Sequence, residues 1–269
     1  MYRTILPNWG APLCVAAVLL LPSPRAEAQP GKYETGYQNL VRLTQDLYRA
    51  LPPEARRKVD RKLVLLQDVP MPYLQPMAYK QGGASRGVVC LSSGFIDFMN
   101  YYSHAKALEE LDKNFFVKYM AGLAHETGQT KLHDLRFVSH RQTWSFDTMN
   151  HQVSTFNQVA GTLIAIDLAH HYLGHYQKYA AQLQPGPNGT RVPIASVVTP
   201  KEWRQAVLKG ARNALDCGLG VEGIINFFQA LDKMPNRPAW TTYFMPHGVK
   251  VSKIRRDLLK MERKFFAFN

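Results

Sequence analysis

The chain has 269 residues and a formal net charge of +13, with 46% hydrophobic and 20% charged residues. That balance excludes a disordered chain and leaves a globular protein with a basic surface. The basic residues are scattered, apart from residues 250–264, and no nucleic-acid motif accompanies them. Nucleic acid is therefore not an expected partner, whereas peripheral contact with an anionic membrane surface is a candidate.

Reading from the N-terminus, Arg3 precedes an apolar stretch over residues 11–21. Pro22, Ser23 and Pro24 interrupt it, and Ala26-Glu27-Ala28 supplies a small-x-small cleavage pattern. Residues 1–28 thus read as a signal peptide, with the mature chain starting at Gln29 and exported to the periplasm or the extracellular space. The apolar run is short for a membrane span. Removing Arg3, Arg25 and Glu27 takes the charge from +13 to +12. Residues 29–269 are long enough for one domain with a large core. Cys14 leaves with the signal. Cys90 and Cys217 remain, either as a disulfide or as two buried thiols.

Apolar positions Tyr37, Leu40, Val41, Leu47, Tyr48 and Leu51 recur at helical spacing, so residues 34–51 form an amphipathic helix. Leu63-Val64-Leu65-Leu66 suits a strand, followed by a proline-rich loop over residues 70–76. Gly82-Gly83 marks a tight turn before a second strand, Gly87 to Leu91. Ser92 or Ser93 caps a helix starting near Gly94. Residues 105–125 are helical, 126–150 polar and irregular. Residues 152–183 carry the longest helical pattern, whose apolar run 159–169 contains Asp167 and reads as buried. A Pro/Gly loop over 185–193 leads to helices at 200–216, 221–234 and 249–264. The expected architecture is α+β, mostly helical, with one small sheet.

The segment His171-Tyr172-Leu173-Gly174-His175 is the main chemical signal. On a continuous helix, His171 and His175 share one face, as zinc ligands do in H-E-x-x-H helices. Glu202 follows Thr199-Pro200 and is either a carboxylate ligand or a first-turn helix acid. His125-Glu126-Thr127-Gly128-Gln129 looks like an H-E-x-x-H with its second histidine lost, and Gly128 suits a helix end.

These pieces, in their order, resemble the gluzincin metallopeptidases of the prenyl-protein-protease and heat-shock-membrane-protease type, peptidase family M-forty-eight. His171, Leu173, Gly174 and His175 fit a common H-E-L-G-H form, with Tyr172 in place of the glutamate. Upstream, Ser92-Ser93-Gly94-Phe95-Ile96-Asp97 is similar to the family's helix start. Downstream, Cys217-Gly218-Leu219-Gly220 through Phe227-Phe228 looks like its A-G-Y-D-P segment, and Pro246-His247 like its H-P pair in reverse. The resemblance spans residues 35–262. It implies a zincin-like single domain, zinc, and a protein or peptide as substrate or ligand. Residue by residue it implies His171 and His175 as metal ligands and Tyr172 at the catalytic-base position. The register puts the third ligand at Trp203, making the adjacent Glu202 the candidate, with Asp216 a further option; His247 and Glu126 are auxiliary candidates. A tyrosine, with its reference pKa of about 10, is not a ready base at neutral pH. The implied function is a zinc-metallopeptidase-like protein with weak or lost proteolysis. The alternative is a non-catalytic binding or chaperone-like module that keeps only the fold.

Overall fold

The computed structural model describes residues 33–81, 84–124, 141–184 and 191–268. The expected signal peptide, the Gly82-Gly83 turn and the His125-Glu126 fragment lie outside the described residues. The described elements of residues 31–269 belong to one compact unit, α+β and mostly helical. No helix among them is long and apolar enough to cross a membrane.

Helix α1 (Glu34–Ala50) matches its predicted span and buries Leu40, Thr44 and Leu47, while a short α2 (Pro53–Arg56) starts on a proline. Among the described residues the sheet has three strands, β1 (Val59–Leu66), β2 (Leu74–Gln81) and β3 (Ala84–Ser92), in the order β1-β3-β2. The pair β1·β3 is parallel and β2·β3 antiparallel, with Gln75 opposite Cys90 and Met77 opposite Val88. Strand β2 corrects the sequence reading, which gave its first residues to a loop because of Pro76. It is an edge strand, where a residue without an N–H is tolerated.

Ser92 ends β3 and caps α3 (Ser93–Leu108), its hydroxyl accepting from Phe95 N at 3.0 Å. The predicted helix over 105–125 is two elements, because α3 stops at Leu108 and α4 (Phe115–Leu123) restarts after a turn. In that turn the Asp112 carboxylate accepts from Asn114 N, the local bond by which aspartate competes with helix. Helix α5 (Phe146–Tyr172) is capped by Ser145 and begins six residues earlier than the sequence pattern suggested. From Val159 to His171 every residue is buried, as expected of a helix surrounded by other elements. It packs against α1, α3, α8 and α9 and touches all three strands.

The 152–183 pattern breaks at Gly174, whose φ of +82° closes α5; a short α6 (His175–Lys178) follows. Then come α7 (Ile194–Val197), α8 (Pro200–Asp216), α9 (Glu222–Asp232) and α10 (Val251–Phe268). An aromatic cluster of Phe98, Phe227, Trp240 and Phe244 joins α3 and α9 to the segment before α10. Cys90 and Cys217 are both free thiols, Cys90 fully buried.

Candidate functional site

The end of α5 brings the predicted residues close in sequence but gives their side chains different partners. His171 is fully buried, and its Nε2 lies 2.9 Å from the carbonyl oxygen of Val88 on β3. A carbonyl only accepts, so Nε2 carries the proton and Nδ1 keeps a lone pair, which has no hydrogen-bond partner. The ring sits where a side chain of β3 would otherwise be: a Cβ on Gly87 would fall 2.3 Å from His171 Cγ. Burial holds the imidazole neutral, pushing its pKa down to about 4 against the opposing effect of the Val88 bond.

His175 faces elsewhere. Its Nδ1 lies 3.2 Å from Nδ1 of His170, and both rings are buried, 5% and 1% exposed. The reason is the helix break. On an unbroken helix, residues five apart point in divergent directions and residues four apart share a face. The left-handed turn at Gly174 ends that regularity, so His175 meets His170 instead of joining His171. The His170 pKa is driven to about 3 by burial first, then by the neighbouring His175 and His171 rings, with Glu202 acting in the other direction. Burial also lowers that of His175, opposed by Glu202 and by a hydrogen bond with the Gln205 side chain.

Glu202 is the first-turn acid of α8, not a free carboxylate. It forms a capping box with Thr199, its Oε2 accepting from Thr199 N at 2.9 Å, while Glu202 N donates to the Thr199 hydroxyl at 3.2 Å. Oε2 also accepts from Tyr179 OH at 2.9 Å and Oε1 from Lys178 Nζ at 2.7 Å. Burial opposes its ionisation, yet the bonds from Lys178, Thr199 and Tyr179 bring its pKa down to about 2. Trp203, at the position the family resemblance gives to the third ligand, is buried among the helices and packs on Phe228.

Tyr172 is half-buried and lines a cavity of about 240 Å³ with Lys58, Arg212, Asn213 and Asp216. Its carbonyl accepts from Lys58 Nζ at 3.0 Å, a cation placed on the C-terminal end of α5. Burial raises the phenol pKa further, away from any role as a base at neutral pH. Asp216 pairs with Arg212 at the far end of α8, and His247 is exposed in the loop before α10. Glu126 lies outside the described residues.

His171, His175 and Glu202 are thus each oriented by a different partner. Among the described residues, no three His, Cys, Asp or Glu side chains converge as metal ligands. Sequence reasoning passed over two buried groups. His170 was overshadowed by its neighbour, and the one signal that could have pointed to it is Gly174, which ends the helix after it. Asp167 was noted as part of a buried run but given no role. Its carboxyl is buried with Oδ2 unpartnered, and burial raises its pKa well above the carboxylate range. No protein-family model matches the chain, and no curated protein or solved structure matches it.

Proposed function

We propose that this chain is an exported polypeptide-binding protein with a metallopeptidase-like build and no hydrolytic turnover. The fixation of His171 carries this reading. This imidazole has no exposed surface and packs from α5 against β3, whereas a catalytic metal keeps one position open to water or substrate. Three further features support it. Tyr172 stands where the general base would be, Trp203 fills the place of a ligand, and Glu202 is engaged by Lys178, Tyr179 and Thr199. The binding half of the proposal draws on β2, which pairs with β3 on one side and, among the described strands, has no strand partner on the other, although Ala78 N there donates to the Tyr176 hydroxyl at 3.3 Å and Pro76 has no N–H. An extended peptide would bond the main-chain groups of this edge that remain. The basic surface suits acidic segments or an anionic membrane face.

The test uses the mature protein with added zinc and unstructured casein. Binding without cleavage is expected, and Tyr172→Glu should bring no gain in hydrolysis, because the carboxylate would have no metal-bound water to act on. Zinc-dependent cleavage by the unmodified protein would overturn the proposal. So would absence of binding to casein and to acidic peptides alike.

A further inference from the structure

Helix α10 separates its charges by side. Its two acids, Asp257 and Glu262, turn towards the body of the protein: Asp257 Oδ2 lies 2.6 Å from Arg204 Nη2 on α8, and Glu262 Oε1 accepts from Val221 N at 3.2 Å. Val251, Ile254 and Leu258 are buried beneath the same helix. The outer face is different. Lys253, Arg256, Lys260, Arg263 and Lys264 are all exposed, and their spacing of three or four residues sets them along one side. From 253 to 264 the row runs about 17 Å. Among the described residues, no carboxylate forms an ion pair with any of the five. The basic face continues past the start of α10, where a cavity of about 340 Å³ shared with α8 is lined by Lys201, Arg204, Lys250 and Lys253 and by no carboxylate. Arg204 there is neutralised by Asp257, and the three lysines are not. At the other end of the row, one turn beyond Arg263, Phe266 is 66% exposed.

We propose that this face docks the protein onto an anionic membrane, its lysines and arginines among the lipid phosphates and Phe266 at the edge of the acyl region. A row of cations on a packed helix meets a flat anionic surface all at once, with no segment left to order on binding. Each Lys or Arg held at such a surface strengthens attachment about fivefold, and clusters of this size on a helix are of the kind that recognises anionic lipid. The acids of α10 do not oppose the contact, since both are bonded on the inner side. The apolar face of α10 is committed to the core, so attachment is peripheral and set by charge, with Phe266 as the one apolar contribution. The choice of lipid over nucleic acid rests on the proposed export, because an exported chain meets lipid headgroups. The surface itself is independent of polypeptide binding at β2.

The test is co-sedimentation of the mature protein with vesicles of phosphatidylglycerol and phosphatidylcholine in equal parts, at about 0.1 M salt, where the screening length is about 10 Å. Binding is expected to these vesicles and not to pure phosphatidylcholine, with release at about 1 M salt. The triple variant Lys253→Gln, Arg256→Gln, Lys260→Gln should bind about a hundredfold more weakly, about fivefold for each charge. The three side chains are exposed and glutamine is a good helix former, so this variant keeps the fold. A control triple, Arg61→Gln, Lys113→Gln, Lys118→Gln, removes the same charge from exposed positions on β1 and around the start of α4, and should cost less than about tenfold. Phe266→Ser should weaken binding about tenfold. No binding to phosphatidylglycerol vesicles, equal weakening by the two triple variants, or displacement from the vesicles by polyuridylate at equal phosphate concentration would each overturn the proposal. None of these results bears on the polypeptide reading, which casein tests separately.

Discussion

Substituting Gly87 by alanine tests whether His171 is a built part of the sheet–helix interface. The added Cβ would lie 2.3 Å from Cγ, 2.5 Å from Nδ1 and 2.7 Å from Cδ2 of an imidazole with no exposed surface. The ring cannot swing aside without giving up its bond to Val88, and the helix carrying it is buried on every side. Overpacking of this kind costs about 1–3 kcal/mol, and a lost hydrogen bond adds about 1 kcal/mol. A total of about 2–4 kcal/mol is expected. For a domain of this size that lowers the melting temperature by roughly 4–16 °C. Equilibrium denaturant unfolding of four proteins gives the decisive measurement: the unmodified chain, Gly87→Ala, His171→Ala and the double variant. His171→Ala leaves the space that the alanine methyl needs, so Gly87→Ala should cost far less in that background. The coupling should exceed about 1 kcal/mol, as it does for residues in direct contact. Additive costs, agreeing within about 0.5 kcal/mol, would refute the placement of His171 against β3.

Two other expectations follow from the buried carboxyl and the N-terminus. Burial raises the Asp167 pKa in the folded state well above that of the unfolded chain, where it ionises near pH ~3.9. Stability is lost as pH rises from there towards the folded pKa, since the unfolded state releases the proton first. Asp167→Asn should therefore raise the melting temperature at pH 7–8, by an amount that shrinks towards pH 4; a pH-independent difference would contradict this. N-terminal sequencing of the exported protein should begin at Gln29, and a start at Met1 would remove the export proposal.

Local and periodic features were legible in the sequence. The spans of α1, α8 and α9, the strand around Leu63, and the cap at Ser92 follow from apolar spacing, capping residues and a short apolar run, which act over a few residues. Strand β2 was partly hidden by Pro76, since only pairing with β3 shows that the strand lies at an edge. The 105–125 segment looked continuous because a helix end without glycine or proline leaves a weak signal.

The candidate site divides along the same line. The residues Gly174, His171, His175 and Glu202 were visible, His170 was passed over, and Glu202 as a first-turn acid was a correct local alternative to its role as a ligand. Which histidine faces which partner was decided by tertiary structure. The His171 ring is placed by a gap in β3 that exists only because residue 87 lacks a side chain, more than eighty residues away along the chain. The meeting of His170 with His175 depends on the left-handed turn at Gly174 and on helix α8 bringing Glu202 and Gln205 alongside. Periodicity assigns side chains to faces while the helix continues. Once it breaks, packing against distant elements sets their direction.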